Sequence, residues 1–416
     1  MGFDPVTLRN QLLALVLNIL SWAKSFLPRI ENASSSPSDI QGDKCILISA
    51  PGGFDQLKLT SLTGKVTLGY NISGFKPPIV VINDTSTLPS NLVIVKTSFF
   101  SVNYADIAIR WGLYESALRY VGWPIVPGFD FSGDVEWAGG DSGFEIGDLV
   151  FGFTLFGAYS SRILVPANQI RRIPGNLTPE AAAALTAVAG TALHAVSLSG
   201  AYPQPLLTSN KAALVHSAAG GVGSMLLQMC RLVGYSPVVA VVGGSHKVSM
   251  CHDQGADVVI NKESLSSHAL WKSILQASPS GFAAVFDANG VSTLARSYAH
   301  LARCGRLIVY GFHTNVPKTG LLSPFAWIMM IIRLLRIPHF DPMQMVLDSK
   351  AVMGFNLSFF ADEVDLIANY MSQIISWVEA GMLVVPKVTV MEMTEIGNAH
   401  ELIQSGRSTG KIVIRV

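Results

Sequence analysis

The chain is poor in charge. Of its 416 residues only 14% are Asp, Glu, Lys or Arg, and they sum to +1 at pH 7, so no basic surface is available for a nucleic-acid backbone. Cysteine is scarce as well: Cys45, Cys230, Cys251 and Cys304 are scattered without C-x-x-C spacing. That argues against a disulfide framework and for a reducing compartment, where sequons such as Asn176-Leu177-Thr178 stay idle. No uncharged apolar run reaches the roughly 20 residues that a spanning helix needs. The two candidates, 12–20 and 321–337, are short or broken by Asn18, Arg333 and Arg336. What abounds is apolar character. Hydrophobic residues make up 50% of the chain, enough to fill the cores of two domains and to bring some surface against a membrane or a greasy ligand.

The stretch 211–223, KAALVHSAAGGVG, organises the rest. Residues 212–216 form an apolar run long enough for a buried strand, a glycine-rich turn follows, and helical spacing resumes in MLLQMCRLVG at 225–234. In a dinucleotide-binding βαβ unit such a turn brings backbone N–H groups and the positive helix end to a pyrophosphate, with Gly where a side chain would block the approach. Ala219, Gly220, Gly221, Val222 and Gly223 are the candidate cradle. Ala218 replaces the first Gly of G-x-G-x-x-G, so any tight strand-to-helix turn is the competing reading.

A second buried strand, 238–242, leads into Gly243-Gly244-Ser245-His246-Lys247. Gly243 lies about twenty residues past the turn, where an NAD site places Asp or Glu on the ribose 2′-hydroxyl. No acid stands there. Ser245 and Lys247 suit a 2′-phosphate, which points to NADP(H); the alternative is that Lys247 is an ordinary solvated lysine. Further parallel strands are expected at 257–260, 283–287 and 307–311. Ligands bind beyond the carboxyl ends of such strands, where Asn289, Gly311 and Phe312 fall.

Upstream, residues 44–103 read as short β-type runs separated by turns, and 1–43 as an extension. A helix in the membrane interface is expected in that extension, with Asn10, Asn18 and Lys24 on its wetter side; a disordered leader is the alternative. Asp4 argues against a signal sequence, and Val6 against myristoylation after Gly2. The stretch 321–337 reads either as a membrane-facing or substrate-covering helix or as a core helix, and 364–380 as a helix.

Several ordered motifs carry a resemblance. They are V-N-x-x-D-x-x-x-R-x-G-x-Y from Val102 to Tyr114, P-G-x-D-x-S-G from Pro127 to Gly133, G-D-x-V-x-G from Gly147 to Gly152, the AAGGVG turn, and Gly410-Lys411-Ile412-Val413. Over roughly 44–416 the chain resembles the medium-chain dehydrogenase/reductase superfamily. It is similar to the zinc-less quinone oxidoreductase branch and, at 351–357, to the synaptic vesicle membrane protein homologues within it. The resemblance implies an α/β fold, with a Rossmann-type doubly wound parallel sheet (190–350) inserted into a β-rich GroES-like catalytic domain (44–189 and 351–416). It also implies a homodimer, while the scattered cysteines and the apolar extension lead us to expect the cytoplasmic face, with peripheral membrane contact.

Zinc-dependent members of the superfamily use Cys and His-Glu ligands in the first domain. Here no cysteine lies between Cys45 and Cys230, the only histidines there are His194 and His216, and Gly128-Phe129-Asp130 stands where Gly-His-Glu would be. No metal is expected. By the same resemblance Thr191 faces the nicotinamide, while Asn103 and Tyr114 bond the substrate oxygen, Tyr114 also serving as a proton donor. From the residues alone, Thr191 reads equally as a helical Thr packed in the domain interface. Ala108 stands where quinone reductases often have Tyr. The expected activity is NADPH-dependent, zinc-independent hydride transfer to a small apolar quinone or α,β-unsaturated carbonyl. The alternative is a membrane-associated binding or trafficking protein with the same fold and little turnover.

Overall fold

The computed structural model describes residues 42–69, 78–82, 84–203, 211–315, 328, 330, 332–333, 335–360 and 362–416. Of the extension only residues 42 and 43 fall within these, and the stretch 321–337 lies mostly outside them. Among the described residues no helix is long and apolar enough to cross a membrane.

Ala213–His216 and Val238–Val242 are buried at every position. Such runs suit a parallel sheet covered on both faces, because no position is left for the polar half of an alternating strand. They lie at the centre of a six-stranded sheet whose spatial order is Val258–Asn261, Val238–Val242, Ala213–His216, Phe282–Asp287, Leu301–Val309, Ala351–Gly354. All its pairings are parallel. This is the doubly wound order that reverses beside the first strand and opens a crevice there. Successive side chains alternate between the faces: Ala213 and Val215 pack with Met225 and Met229 of the helix Gly221–Leu232, while Leu214 packs with Trp271 and Ile274 of Ser267–Ala277.

Two expected boundaries shift. Ala351–Gly354, assigned to the first domain from sequence, pairs with Leu301–Val309 as the sixth strand of this sheet. The division at 189/190 falls inside one continuous helix, Thr186–Leu198.

Among the described residues a second large sheet has nine strands, drawn from both sides of the nucleotide sheet in sequence, beside a two-stranded sheet of Lys44–Leu47 and Lys58–Ser61. Its long strand Leu92–Val102 pairs along Asp130–Ala138, with Arg162–Pro166 beside its first half. The last strand of the chain, Lys411–Arg415, pairs antiparallel with its second half. That pairing carries Lys411 from the far end of the sequence to Val102 and Asn103. Thr178 caps the helix Pro179–Ala183 through its side chain, with Pro at the first helical position as the sequence suggests. The expected helix near 364–380 is Val364–Glu379.

Candidate active site

A cavity of about 1340 Å³ is lined by residues of both sheets. At one wall stands the glycine turn. Ser224 N is the first helical N–H to meet a carbonyl of the turn, Gly220 O at 2.9 Å; those of Gly221, Val222 and Gly223 precede it, and all three residues line the cavity. A Cβ on Gly221 would come within 2.8 Å of Val188 Cγ1, and one on Gly223 within 2.5 Å of Ser217 O. Both positions therefore require glycine for space, which is the fit a backbone cradle for a pyrophosphate demands. Ala219 and Gly220 line the same wall.

Gly243 and Lys247 also border the cavity, and with them Lys262, which directly follows the strand Val258–Asn261. Lys247 is not a solvated lysine. It is buried, and its Nζ donates to Gly406 O at 2.6 Å. Burial lowers its pKa first of all, and the neighbouring Lys262 lowers it further. Two neighbouring lysines thus line the cavity past the ends of adjacent parallel strands. Ser245 is exposed and stands outside the cavity lining, and its backbone N–H donates to Glu263 Oε2 at 3.3 Å. The acid missing after the second strand thus arrives from the third, outside the cavity lining.

Asn289 lies between cavity-lining residues, after Ala288 and against Ser217. It is buried behind the wall, accepting from Ser217 Oγ at 2.9 Å, so it braces the turn through Ser217 and does not line the cavity. Gly311 and Phe312 do line it. So does Thr191, whose hydroxyl donates to Ala187 O at 2.6 Å and keeps its oxygen as an acceptor.

Asn103 and Tyr114 open onto the same cavity. The Tyr114 hydroxyl donates to Asn356 Oδ1 at 3.0 Å, and its ring stands edge-on to Phe129 and Phe156. Burial pushes the phenol above its ordinary pKa against opposing hydrogen bonds from Ser358 and Asn356, so Tyr114 stays protonated. Asn103 is tied at both ends of its amide: Nδ2 donates to Asp130 Oδ2 at 3.0 Å, and Oδ1 accepts from Lys411 Nζ at 2.6 Å. Asp130 is fully buried and also accepts from Ser101 Oγ, Thr186 Oγ1 and Ala187 N.

Sequence reasoning missed Lys262, Asn356, Lys411 and the role of Asp130. Lys262 had a signal, since it stands past the carboxyl end of a parallel strand next to Gly243. Lys411, Asp130 and Asn356 were visible only as motif letters. Tyr104, whose hydroxyl donates to His313 O at 2.9 Å, ties the two halves of the cavity together.

Residues 89–175 match the alcohol dehydrogenase GroES-like domain family and residues 221–367 the zinc-binding dehydrogenase family. The chain is similar to the human synaptic vesicle membrane protein VAT-1 homolog, 27% identical over 376 residues that cover 89% of this chain and 86% of that one. It is also similar to a probable quinone oxidoreductase of Schizosaccharomyces pombe, 24% identical over 78% of this chain and 88% of that one. Among solved structures, Escherichia coli quinone oxidoreductase complexed with NADPH matches with a TM-score of 0.68 at 20% identity, over 90% of this chain and 100% of that chain. Both domain matches, in this order on one chain and joined to a doubly wound sheet, place the protein in the medium-chain dehydrogenase/reductase superfamily.

Proposed function

We propose that this protein is an NADPH-dependent oxidoreductase that transfers hydride to a quinone or an α,β-unsaturated carbonyl without zinc. The observation that carries this reading is one cavity that joins the glycine turn, the lysine pair at the strand ends, and Asn103, Tyr114 and Thr191. The NADPH complex of the Escherichia coli relative and the quinone oxidoreductase relatives support it.

When bound, NADPH supplies the hydride. The chain's own residues bind, orient and stabilise. The N–H groups of Gly221, Val222 and Gly223 would hold the pyrophosphate, and Lys247 and Lys262 the 2′-phosphate. Asn103 Nδ2 has a second N–H to offer the substrate oxygen as negative charge develops there, and the protonated Tyr114 supplies a donor once its hydrogen leaves Asn356. Ala108, Leu113 and Phe129 line the substrate side and exclude water.

Zinc independence rests on the donors. Phe129 and Asp130 stand where the zinc-dependent motif has His and Glu, and both carboxylate oxygens of Asp130 are already engaged by protein donors. Among the described residues no group of three His, Cys, Asp or Glu is arranged to hold a metal. A screen of NADPH oxidation against quinones and enones, with and without a chelator, tests the proposal. Turnover unaffected by the chelator is expected; turnover that chelation abolishes would overturn the zinc-free part.

A second reading, membrane attachment on the cytoplasmic face, has a specific observation behind it. The helix Pro342–Asp348 buries none of its residues and leaves Met343, Val346 and Leu347 about 70% exposed. It adds to the apolar extension and to the membrane name of the human relative. The same surface adjoins the outermost strand Ala351–Gly354, so a homodimer is the competing occupant. Light scattering with and without liposomes separates the two.

A further inference from the structure

Lys411 opens the strand that closes the first domain, and the proposed reaction leaves it without a role. It is 3% exposed. Its ammonium lies 2.6 Å from Asn103 Oδ1, 3.4 Å from Val102 O and 3.6 Å from Asp130 Oδ2. Its stem runs past the dinucleotide turn, where a Cβ on Gly221 would come within 2.9 Å of Lys411 Cδ. The residue before it, Gly410, sits at φ +64 and donates its N–H to Ala219 O at 3.1 Å, bridging to Gly220. One residue therefore touches both the cofactor turn and the group that faces the substrate.

The consequence falls on Asn103. Its Oδ1 accepts a hydrogen bond from the ammonium and its Nδ2 donates one to the carboxylate; the nearest further acceptor for Nδ2 is Ser101 Oγ, at 3.5 Å, beyond an ordinary hydrogen bond. Reversing the amide would set Nδ2 against the ammonium and Oδ1 against the carboxylate, forfeiting two charge-assisted bonds at once. The amide thus has a single orientation with one N–H spare.

We propose that Lys411 is a positioning residue, which fixes the Asn103 amide with one N–H free for the substrate oxygen and adds positive charge behind the turn that receives the pyrophosphate. The first part rests on the reductase reading; the second concerns dinucleotide binding alone. Lys411→Met keeps the length of the stem and removes the charge. Asp130 retains Ser101, Asn103, Thr186 and Ala187 as donors, which offset part of the cost of leaving its buried carboxylate without the ammonium, and thermal melting of the variant checks that it folds.

The test assays Lys411→Met, Asn103→Ala and the double variant with NADPH and an accepted quinone or enone, and measures NADPH affinity by calorimetry. Lys411→Met should lower kcat roughly ten- to a hundred-fold, the span of one charge-assisted hydrogen bond. It should also weaken NADPH by about five-fold, as expected for one charge near a dianion. On top of Asn103→Ala it should cost less than about three-fold in kcat, because the two act as one unit. Losses that multiply in the double variant would mark Lys411 as merely structural and overturn the proposal, as would an unchanged NADPH affinity. If the wild type turns over no acceptor, the reductase reading fails separately. Affinity then decides, together with a crystal structure of Lys411→Met: unchanged binding with the Asn103 amide still in place refutes the proposal, and weaker binding with a displaced amide supports it.

Discussion

Gly223→Ala sets two physical effects against each other. In the first turn of Gly221–Leu232 an alanine would ordinarily favour the helix by up to about 1 kcal/mol. Here its Cβ would lie 2.5 Å from Ser217 O and 2.7 Å from Ala218 C and Cα. For the carbon contacts that is roughly 0.8 Å inside van der Waals separation. All three are backbone atoms with little freedom to yield: Ser217 is already held at φ +53, and Ala218 N is bonded to Val241 O at 3.2 Å. Overpacking of this kind costs about 1–3 kcal/mol, so after a helix gain of about 1 kcal/mol the net loss should be up to about 2 kcal/mol. NADPH should bind at least about ten-fold more weakly, because relieving the clash opens the turn. Gly221→Ala is the control. Its Cβ would meet Val188 Cγ1 at 2.8 Å and Lys411 Cδ at 2.9 Å, side-chain atoms that can give by a few tenths of an ångström more readily than backbone, so stability should fall less. Urea denaturation and NADPH titration read both variants. A Gly223→Ala protein with wild-type stability and affinity would refute the argument, and so would a Gly221→Ala protein that is the less stable of the two.

Lys247→Ala and Lys262→Ala should each weaken NADPH about ten-fold while leaving NADH nearly unchanged, since the two cofactors differ only in the 2′-phosphate that these lysines are proposed to meet; equal wild-type affinities for the two cofactors would contradict this. Burial pushes the Asp106 carboxyl up to about 7, against hydrogen bonds from the backbone N–H groups of Asn103 and Gly128 and from Tyr159. Its pKa is thus higher folded than unfolded, so between about pH 4 and pH 7 the native state binds the extra proton and this group makes stability fall as pH rises. Asp106→Asn should flatten that slope in urea titrations across the window, and an unaltered slope would count against it. With liposomes, the full chain should float and a chain beginning at Lys44 should float much less, since burying several Leu and Ile is worth about 1.5–3 kcal/mol each. Equal flotation of both would move the anchor to the exposed helix Pro342–Asp348.

Much of the fold was readable because its signals are local. Continuous apolar runs at 213–216 and 238–242, each ending in a glycine turn, specify parallel strands whatever lies elsewhere, and Thr178-Pro179 marks a helix start through its own side chain. The cofactor turn was legible for the same reason. Less was legible where position depends on distant chain. Ala351–Gly354 looks like any short strand, and only its pairing with Leu301–Val309 gives it to the nucleotide sheet. Asn289 obeys the rule for residues past a strand end, yet the turn at Asp287 points its side chain to Ser217. Ser245 follows the right strand, but the turn leaves it outside. The network of Asn103, Asp130 and Lys411 joins residues about three hundred positions apart, and no periodicity reports such a contact.

The central claim is hydride transfer from NADPH to a conjugated acceptor, and isotope transfer tests it most directly. The purified full-length protein is supplied with NADPH deuterated at the transferable C4 position and an enone accepted in the screen, under chelator, and the product is examined by mass spectrometry and NMR. The account predicts one deuterium on the carbon β to the carbonyl, with NADPH consumed in equal amount and Asn103→Ala reducing the rate of label transfer. Tight NADPH binding with no label transferred to any acceptor, or product formed without deuterium, would contradict it.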